Sequence, residues 1–326
     1  MKRIFVLLAV SLLSTSCQAQ EHPGAEAFAA RAAEEYGLDA AEVMDLLAGA
    51  RFKQSIVDAM TRPAEAKPWH EYRPIFLTDK RIEGGVRFWR EHRDLIDAAA
   101  RRYEVDPEYI VAIIGVETFY GRITGSYRVL DALTTLAFYY PDTGNDRSDF
   151  FSRELMQFIA LGSEEGLPLR DVEGSYAGAM GLGQFMPSSY REYAVDLDGD
   201  DRRDLWGSLA DVIGSVANYL HRHGWAYGEP VTSRAVVADG ADMDRVSRRN
   251  LKPAATIAEL GAAGFTPADE QPEDRPAAVT RLREEDGDSY WLVYGNFYVI
   301  TRYNRSPLYA MAVHDLAQAI ASEYGE

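Results

Sequence analysis

Residues 109–120 read YIVAIIGVETFY, and when that stretch is wound at 3.6 residues per turn, Ile110, Val111, Ala112, Ile113, Ile114 and Val116 leave hardly any polar face. Asp106 stands as an N-cap with Pro107 at the first helical position, where a missing amide hydrogen costs nothing, so the spacing predicts a helix from Pro107 to about Phe119. A helix apolar on every side has to be enclosed by other elements. Glu117, near its C-terminal end, then has three options: to pair with a cation such as Arg122, to lie exposed at the helix end, or to sit in an apolar setting that keeps it protonated near neutral pH. The last option yields the kind of acid that cleavage of a glycosidic bond needs, and these residues alone leave all three open.

Around this helix the pattern is mostly helical. From Pro23 to about Arg101, Gly37 closes one periodic segment, Asp39 and Glu42 form a capping box for the next, and Pro63 and Pro68 interrupt. Residues 88–103 read as one further helix, and others are expected over residues 148–160, 187–194 and 209–223. At Gly228 the character changes, with Glu229-Pro230 leading into a Val-rich run to Val237 and then a stretch rich in Pro, Ala and Asp up to Pro276. Residues 277–284, the turn Asp286-Gly287-Asp288 and the aromatic, β-branched run 290–303 read as β-hairpin material, and residues 306–324 return to helix. The expected fold class is mainly α (α+β). A helical domain over residues 21–100 is completed by 305–326, a helical core covers 101–227, and a small antiparallel β domain covers 228–304.

Two more clusters carry chemistry. Residues 175–189, SYAGAMGLGQFMPSS, place Gly178, Gly181 and Gly183 where the backbone can turn tightly or approach a ligand closely. Gln184 follows, and its amide offers a donor and an acceptor to an N-acetyl group or a sugar hydroxyl; the plainer alternative is tight packing before the helix at Pro187. Asp196, Asp198, Asp200 and Asp204, with the carbonyl of Arg202, are spaced like the oxygen-ligand loop of an EF-hand. Asp201 stands where Gly is usual and Gly207 where a bidentate Glu is usual, so the last ligand is Asp204 or, a few residues on, Asp211. Clustered carboxylates repel one another unless a cation lies between them, which favours a metal over a solvated acidic turn.

The formal net charge of −17 disfavours nucleic acid as a partner, and no local basic patch that would override it is visible in the sequence. A neutral or mixed-charge substrate suits the chain better, with 19 Tyr, 13 Phe and 5 Trp available to stack on sugars once cores are filled. Residues 1–20 read as an export signal: Lys2 and Arg3 precede an apolar run over residues 4–13 that is too short to span a bilayer, followed by Ser14-Thr15-Ser16-Cys17. Cys17, the single cysteine, sits where a bacterial lipoprotein is lipidated; the alternative is cleavage after Ala19.

The segments IIGVET (113–118), SYAGAMGLGQFMPSSY (175–190), the acidic loop, GSVANYL (214–220), HGW (223–225) and YVITRYN (298–304) run in unbroken order between Trp69 and Tyr309. Together they resemble the membrane-bound lytic transglycosylase B family, which implies a lysozyme-like core flanked by α and β domains. By the same resemblance Glu117 is the catalytic acid/base, Ser175 and Gln184 lie beside the bound sugar, and Tyr219, Tyr303, Asn304 and Tyr309 line the cleft. Arg147 meets the acidic groups of the peptide stem, while Asp196, Asp198, Asp200, the Arg202 carbonyl and Asp211 surround a structural calcium; no organic cofactor is implied. Two departures stand out, Phe119-Tyr120 where the family often has Arg-Trp and Asp146 where a second basic residue is common.

The implied substrate is the glycan strand of peptidoglycan, met by a monomer in the periplasm, held to the outer membrane if Cys17 is lipidated. In the implied reaction one carboxyl group protonates the oxygen between MurNAc and GlcNAc, then removes the C6 hydroxyl proton of the same MurNAc, closing a 1,6-anhydro ring. The rival readings are a muramidase, which uses water and needs a second carboxylate, and a non-catalytic peptidoglycan-binding protein.

Overall fold

The computed structural model describes residues 20–61 and 67–325, so the expected export signal with Cys17, and the break at Pro63, lie outside the described residues. The helices α1 (Ala25–Tyr36), α2 (Ala40–Ala48), α3 (Gln54–Met60), α4 (Trp69–Phe76), α5 (Asp79–Glu91) and α6 (Arg93–Tyr103) precede α7 (Pro107–Thr118). Strand β1 (Tyr127–Arg128), α8 (Val129–Phe138), α9 (Ser148–Glu165), β2 (Glu173–Gly174), α10 (Pro187–Tyr193) and α11 (Leu209–Arg222) follow. A small sheet is built from β3 (Thr232–Val237), β4 (Ala255–Thr256), β5 (Phe265–Pro267), β6 (Pro276–Glu284) and β7 (Gly287–Val293), with α12 (Ile257–Ala262) against it. The chain ends in α13 (Gly295–Tyr303) and α14 (Pro307–Gly325).

The apolar run forms α7, and Ile110, Val111, Ala112, Ile113 and Ile114 have no exposed surface at all. Helices α5, α6, α11 and α14 pack around it, which is what a helix without a polar face requires. Its start differs from the expected cap. The carboxylate of Asp106 accepts from the Trp225 indole N–H at 2.8 Å and from the Gly228 amide at 3.1 Å instead. Because Pro107 brings no amide hydrogen, less of the first turn needs capping, and the carboxylate is released to tie α7 to the segment leading into the sheet.

Three other elements depart from the sequence reading. Residues 88–103 are two helices, α5 and α6, because His92 leaves helical geometry (φ −118°) while its ring packs edge-on against Phe88, 4.8 Å between centroids. Helix α8 has no counterpart among the helices expected from the sequence. Arg128 gives it no side-chain cap, and Thr134 and Thr135 interrupt the apolar pattern, although Leu130, Leu133 and Leu136, all fully buried, carry the helical spacing. Residues 295–303, expected as strand, form α13: the Asn296 side chain accepts from the Ala226 amide and donates to the carbonyls of Ala226 and Glu229, while Phe297 and Ile300 bury in the main core. That tertiary anchoring outweighs the β preference of Tyr298, Val299 and Ile300.

The five-stranded sheet has the order β4-β6-β7-β3-β5 with every paired strand antiparallel, and its β6–β7 hairpin pairs Glu284 with Gly287. Alternation along the strands sends Val279 and Leu292 into an apolar cluster with Ile257, Leu260 and Phe265, and Leu282 and Val293 into the main helical core. The sheet is thereby fixed to the helical body through one face and covered by α12 on the other.

Candidate active site

The last turn of α7 is closed by Phe119 and Tyr120, both left-handed at φ +52° and +59°. Thr118 turns its hydroxyl back on the carbonyl of Leu182 at 2.9 Å, which draws the glycine-rich segment against the helix end. Glu117 is left half-buried one residue earlier. Its Oε1 accepts from the phenol of Tyr309 at 2.6 Å, a buried side chain delivered by α14. Burial first, and then the neighbouring Glu117 charge, push the Tyr309 phenol well above its ordinary pKa, so it acts as a donor throughout the neutral range. Tyr303, raised for the same two reasons, donates to the Gly183 carbonyl at 2.6 Å, and Tyr219 donates to the Arg302 carbonyl at 2.6 Å.

The two departures from the family pattern have structural roles. Phe119 receives the guanidinium groups of Arg81 and Arg122 at 4.9 and 4.8 Å from its ring centroid. The Tyr120 hydroxyl donates to the Arg81 carbonyl and lodges where α5 meets α7; a Cβ on Gly85 or Gly115 would come within 2.5 or 2.6 Å of it. Asp146, one residue before the N-cap, accepts from the Ser148 amide at 2.8 Å and so satisfies the first amide of α9, while Arg147 beside it lies over the rings of Phe150 and Phe151.

In the glycine-rich turn Gly178 and Gly181 adopt φ +83° and +68°, and a Cβ on Gly181 would strike the Leu205 carbonyl at 2.4 Å. Gln184, itself left-handed, donates both amide hydrogens within the fold, to the carbonyls of Thr124 and Gly181 at 3.1 and 3.0 Å. The expectation that it offers a ligand both a donor and an acceptor is therefore corrected: the oxygen is what it can present. Ser175 Oγ accepts from the amides of Ala177 and Ala179, leaving its own O–H to donate.

A cleft of about 1320 Å³ opens beside these groups, lined by Trp69, Arg147, Tyr176, Tyr219, Tyr303 and Asn304 among others. Glu117, Ser175, Gln184 and Tyr309 do not line that volume directly; Tyr176 and Leu308, chain neighbours of Ser175 and Tyr309, do, as does Tyr303, whose phenol feels the Glu117 charge. The lining also overturns the expectation that no basic patch exists. Lys67, Arg147, Arg153, Arg248, Arg249, Arg281, Arg283, Arg302 and Arg305 all face it, with Glu154 as the one carboxylate among the described residues. Their separation along the chain hides the patch from any reading of charge runs.

In the acidic loop, carboxylate oxygens of Asp196, Asp198 and Asp211 lie within 4.8 Å of one another. Asp211, buried on α11, accepts from the amides of Leu197 and Asp204, both at 2.8 Å, and burial pushes its carboxyl up while those amides pull it down. Asp204 instead spends its side chain on the amides of Trp206 and Gly207, and Asp200 accepts from the Arg202 amide outside the cluster. Asp201 takes the left-handed conformation, φ +65°, at the position where Gly is usual. An all-oxygen set of this kind fits a hard cation.

A family model described as the transglycosylase SLT domain matches residues 20–318. The chain is 41% identical to the membrane-bound lytic murein transglycosylase B of Escherichia coli (strain K12) over 310 residues, 92% of this chain and 83% of that protein. Among solved structures, the soluble lytic transglycosylase SltB1 from Pseudomonas aeruginosa matches with 47% identity and a TM-score of 0.84, covering 93% of this chain and all of that one (100%). The Escherichia coli lytic transglycosylase Slt35 in complex with calcium matches with 40% identity and a TM-score of 0.81 over 94% and 95% of the two chains. SltB3 from Pseudomonas aeruginosa in complex with NAG-NAM-pentapeptide matches with 31% identity and a TM-score of 0.77 over 91% and 78%. The likeness bears out the mainly helical, lysozyme-like fold class with its small antiparallel sheet, and by sequence and by structure alike the chain belongs to the transglycosylase SLT domain family.

Proposed function

We propose that this protein is a peptidoglycan lytic transglycosylase in which Glu117 alone serves first as acid and then as base. The observation that carries the reading is a half-buried carboxylate at the end of an apolar helix, held by the Tyr309 phenol at 2.6 Å beside a long cleft. Glu117 protonates the oxygen joining MurNAc to GlcNAc. The C1–O bond breaks, GlcNAc leaves with a new 4-hydroxyl, and the N-acetyl oxygen of MurNAc steadies the positive charge at C1. The Glu117 carboxylate then takes the C6 hydroxyl proton as O6 bonds to C1, which closes the 1,6-anhydro ring, consumes no water and restores the acid. A hydroxyl of the same sugar has a large effective concentration relative to free water, so one carboxyl group suffices.

Ser175, through its O–H, and Gln184, through its amide oxygen, would orient the N-acetyl group, with Tyr219, Tyr303, Asn304, Tyr309 and Arg147 bounding the strand. The relative solved with NAG-NAM-pentapeptide supports such a ligand, and the one solved with calcium supports a cation in the acidic loop. There Asp196, Asp198 and Asp211 would hold calcium, with Asp200 and the Arg202 carbonyl joining them once the loop closes on the ion, and its contribution would be to fix the loop between α10 and α11.

We further assign residues 21–100 with 305–326 to a helical unit, 101–227 to the lysozyme-like core and 228–304 to the β unit. The enzyme acts as a monomer in the periplasm with Cys17 as a lipid attachment point; a relative is named membrane-bound, and no described helix is long and apolar enough to cross a membrane. Mass spectrometry of treated glycan strands tests the chemistry. Wild type yields termini one water lighter than hydrolysis gives, and Glu117→Gln yields none. Reducing termini in place of anhydro ones would transfer the assignment to a hydrolase, and undiminished cleavage by the variant would remove Glu117 from it.

A further inference from the structure

The chain carries a net charge of −17, yet among the described residues one cleft gathers nine Lys and Arg side chains against a single carboxylate, and that carboxylate, Glu154, is spent on the amide and hydroxyl of Ser188. Like charges around a shared cavity repel one another, so such a lining is stabilised when an anion enters. Four of the nine belong to the small sheet and the loop beside it. Arg281 and Arg283, two residues apart, share one face of β6. A parallel bridge between Val246 and Val279, with the Ser247 amide donating to the Val279 carbonyl at 2.9 Å, brings Arg248 and Arg249 alongside. Arg147 and Arg153 face the same volume from the start of α9. Of the four, Arg281 pairs with Asp288 at 2.8 Å, whereas Arg248, Arg249 and Arg283 are exposed and make no ion pair among the described residues.

We propose that Arg248, Arg249, Arg281 and Arg283 form a binding wall for a carboxylate-bearing peptide attached to the glycan, so that the enzyme selects strands with acidic stems over bare ones. The inference rests on the lytic transglycosylase reading and adds to it a specificity element outside the recognised motifs. A short acidic peptide fits better than a long polyanion. Its few carboxylates stay within the cleft, while an extended phosphate polymer would run out over the acidic remainder of the surface. Guanidinium groups spread along a strand and a loop also match several separated carboxylates, each able to take a two-point contact.

The test compares kcat/KM on glycan strands with stems intact and on the same strands stripped by an amidase. The Arg281→Gln/Arg283→Gln and Arg248→Gln/Arg249→Gln double variants are expected to lower the stem-bearing to stripped ratio about tenfold, with Lys replacements restoring most of it and added salt lowering the wild-type ratio. An unchanged ratio in both double variants overturns the proposal. The ratio cancels any loss of folded enzyme, so a poorly folded variant does not imitate the result. A second arm reads binding without turnover, through the anisotropy of a fluorescein-labelled tetrapeptide carrying three carboxylates, measured on the Glu117→Gln protein. Affinity about tenfold weaker in either double variant supports the wall. Equal affinity overturns it, as does loss of inorganic polyphosphate binding with peptide binding intact. If wild type cleaves neither strand, the activity itself falls, and the binding arm decides this site alone.

Discussion

Tyr309 is the side chain through which the fold reaches Glu117, and it does so from a helix 192 positions further along the chain. Replacing it by Phe keeps the ring that fills the space and removes the hydroxyl, so the carboxyl loses a charge-assisted partner. Such a bond contributes about 1.5–3 kcal/mol. Tyr309→Phe is therefore expected to lower kcat on glycan strands about tenfold or more while leaving the circular dichroism spectrum native, and an undiminished kcat would show that the bond has no part in turnover. At this scale the sequence conveyed which residues matter better than what they do. Glu117 stands out because the seven residues before it on its helix, Ile110 to Val116, are all apolar or glycine, a property of neighbours in sequence. That Gln184 spends both amide hydrogens on backbone carbonyls, and that Asp211 rather than Asp204 joins Asp196 and Asp198, depend on how a loop folds back, which no local pattern encodes.

Helix α14 holds α7 in place, and its polar stitch is open to titration. His314 Nδ1 lies 2.8 Å from the Tyr109 hydroxyl on α7, and burial pushes the imidazole down to about 4. With a folded pKa below the unfolded value of about 6.5, the unfolded chain binds the extra proton first. No penalty exists at neutral pH, and stability falls as pH drops from about 6.5 towards 4, by up to about 3 kcal/mol. Replacing His314 by Gln should flatten the decline of Tm across that window; an equally steep decline would place the acid sensitivity elsewhere. The α5–α7 contact gives a second check. Gly85→Ala would press a methyl group onto the Tyr120 hydroxyl and onto Ile320 of α14, at a cost of about 1–3 kcal/mol read as a lower urea midpoint, while an unshifted midpoint would mean the contact relaxes freely. Elements with strong periodicity and a clear punctuating residue were legible: Gly37, Asp39 and Pro107 mark helix ends where the structure has them. Helix α8, without a cap, and α13, whose residues favour strand, were not, because packing from distant segments decides them.

For the molecule as a whole, charge is distributed rather than merely net. The acidic loop concentrates carboxylates at one place, and the proposed calcium, if it binds only the folded state, would contribute about 2.7 kcal/mol at a hundredfold excess over Kd. Chelation should lower Tm by about 5 °C, and an unchanged Tm with no calcium heat in calorimetry would leave the loop a simple turn. The basic cleft is the counterpart, legible only once residues from 67 to 305 are brought together. The way α13 is fastened has a mechanical consequence. Tyr303 is bonded to the Gly183 carbonyl, Tyr219 grips the Arg302 carbonyl, and Asn296 clasps the chain at Ala226 and Glu229, so this short helix is riveted at three points along its length. A strand threading the groove would therefore meet, at Arg302 and Tyr303, a stretch of wall pinned from behind, so that any give in accommodating thicker polymer is expected from parts of the lining without such ties.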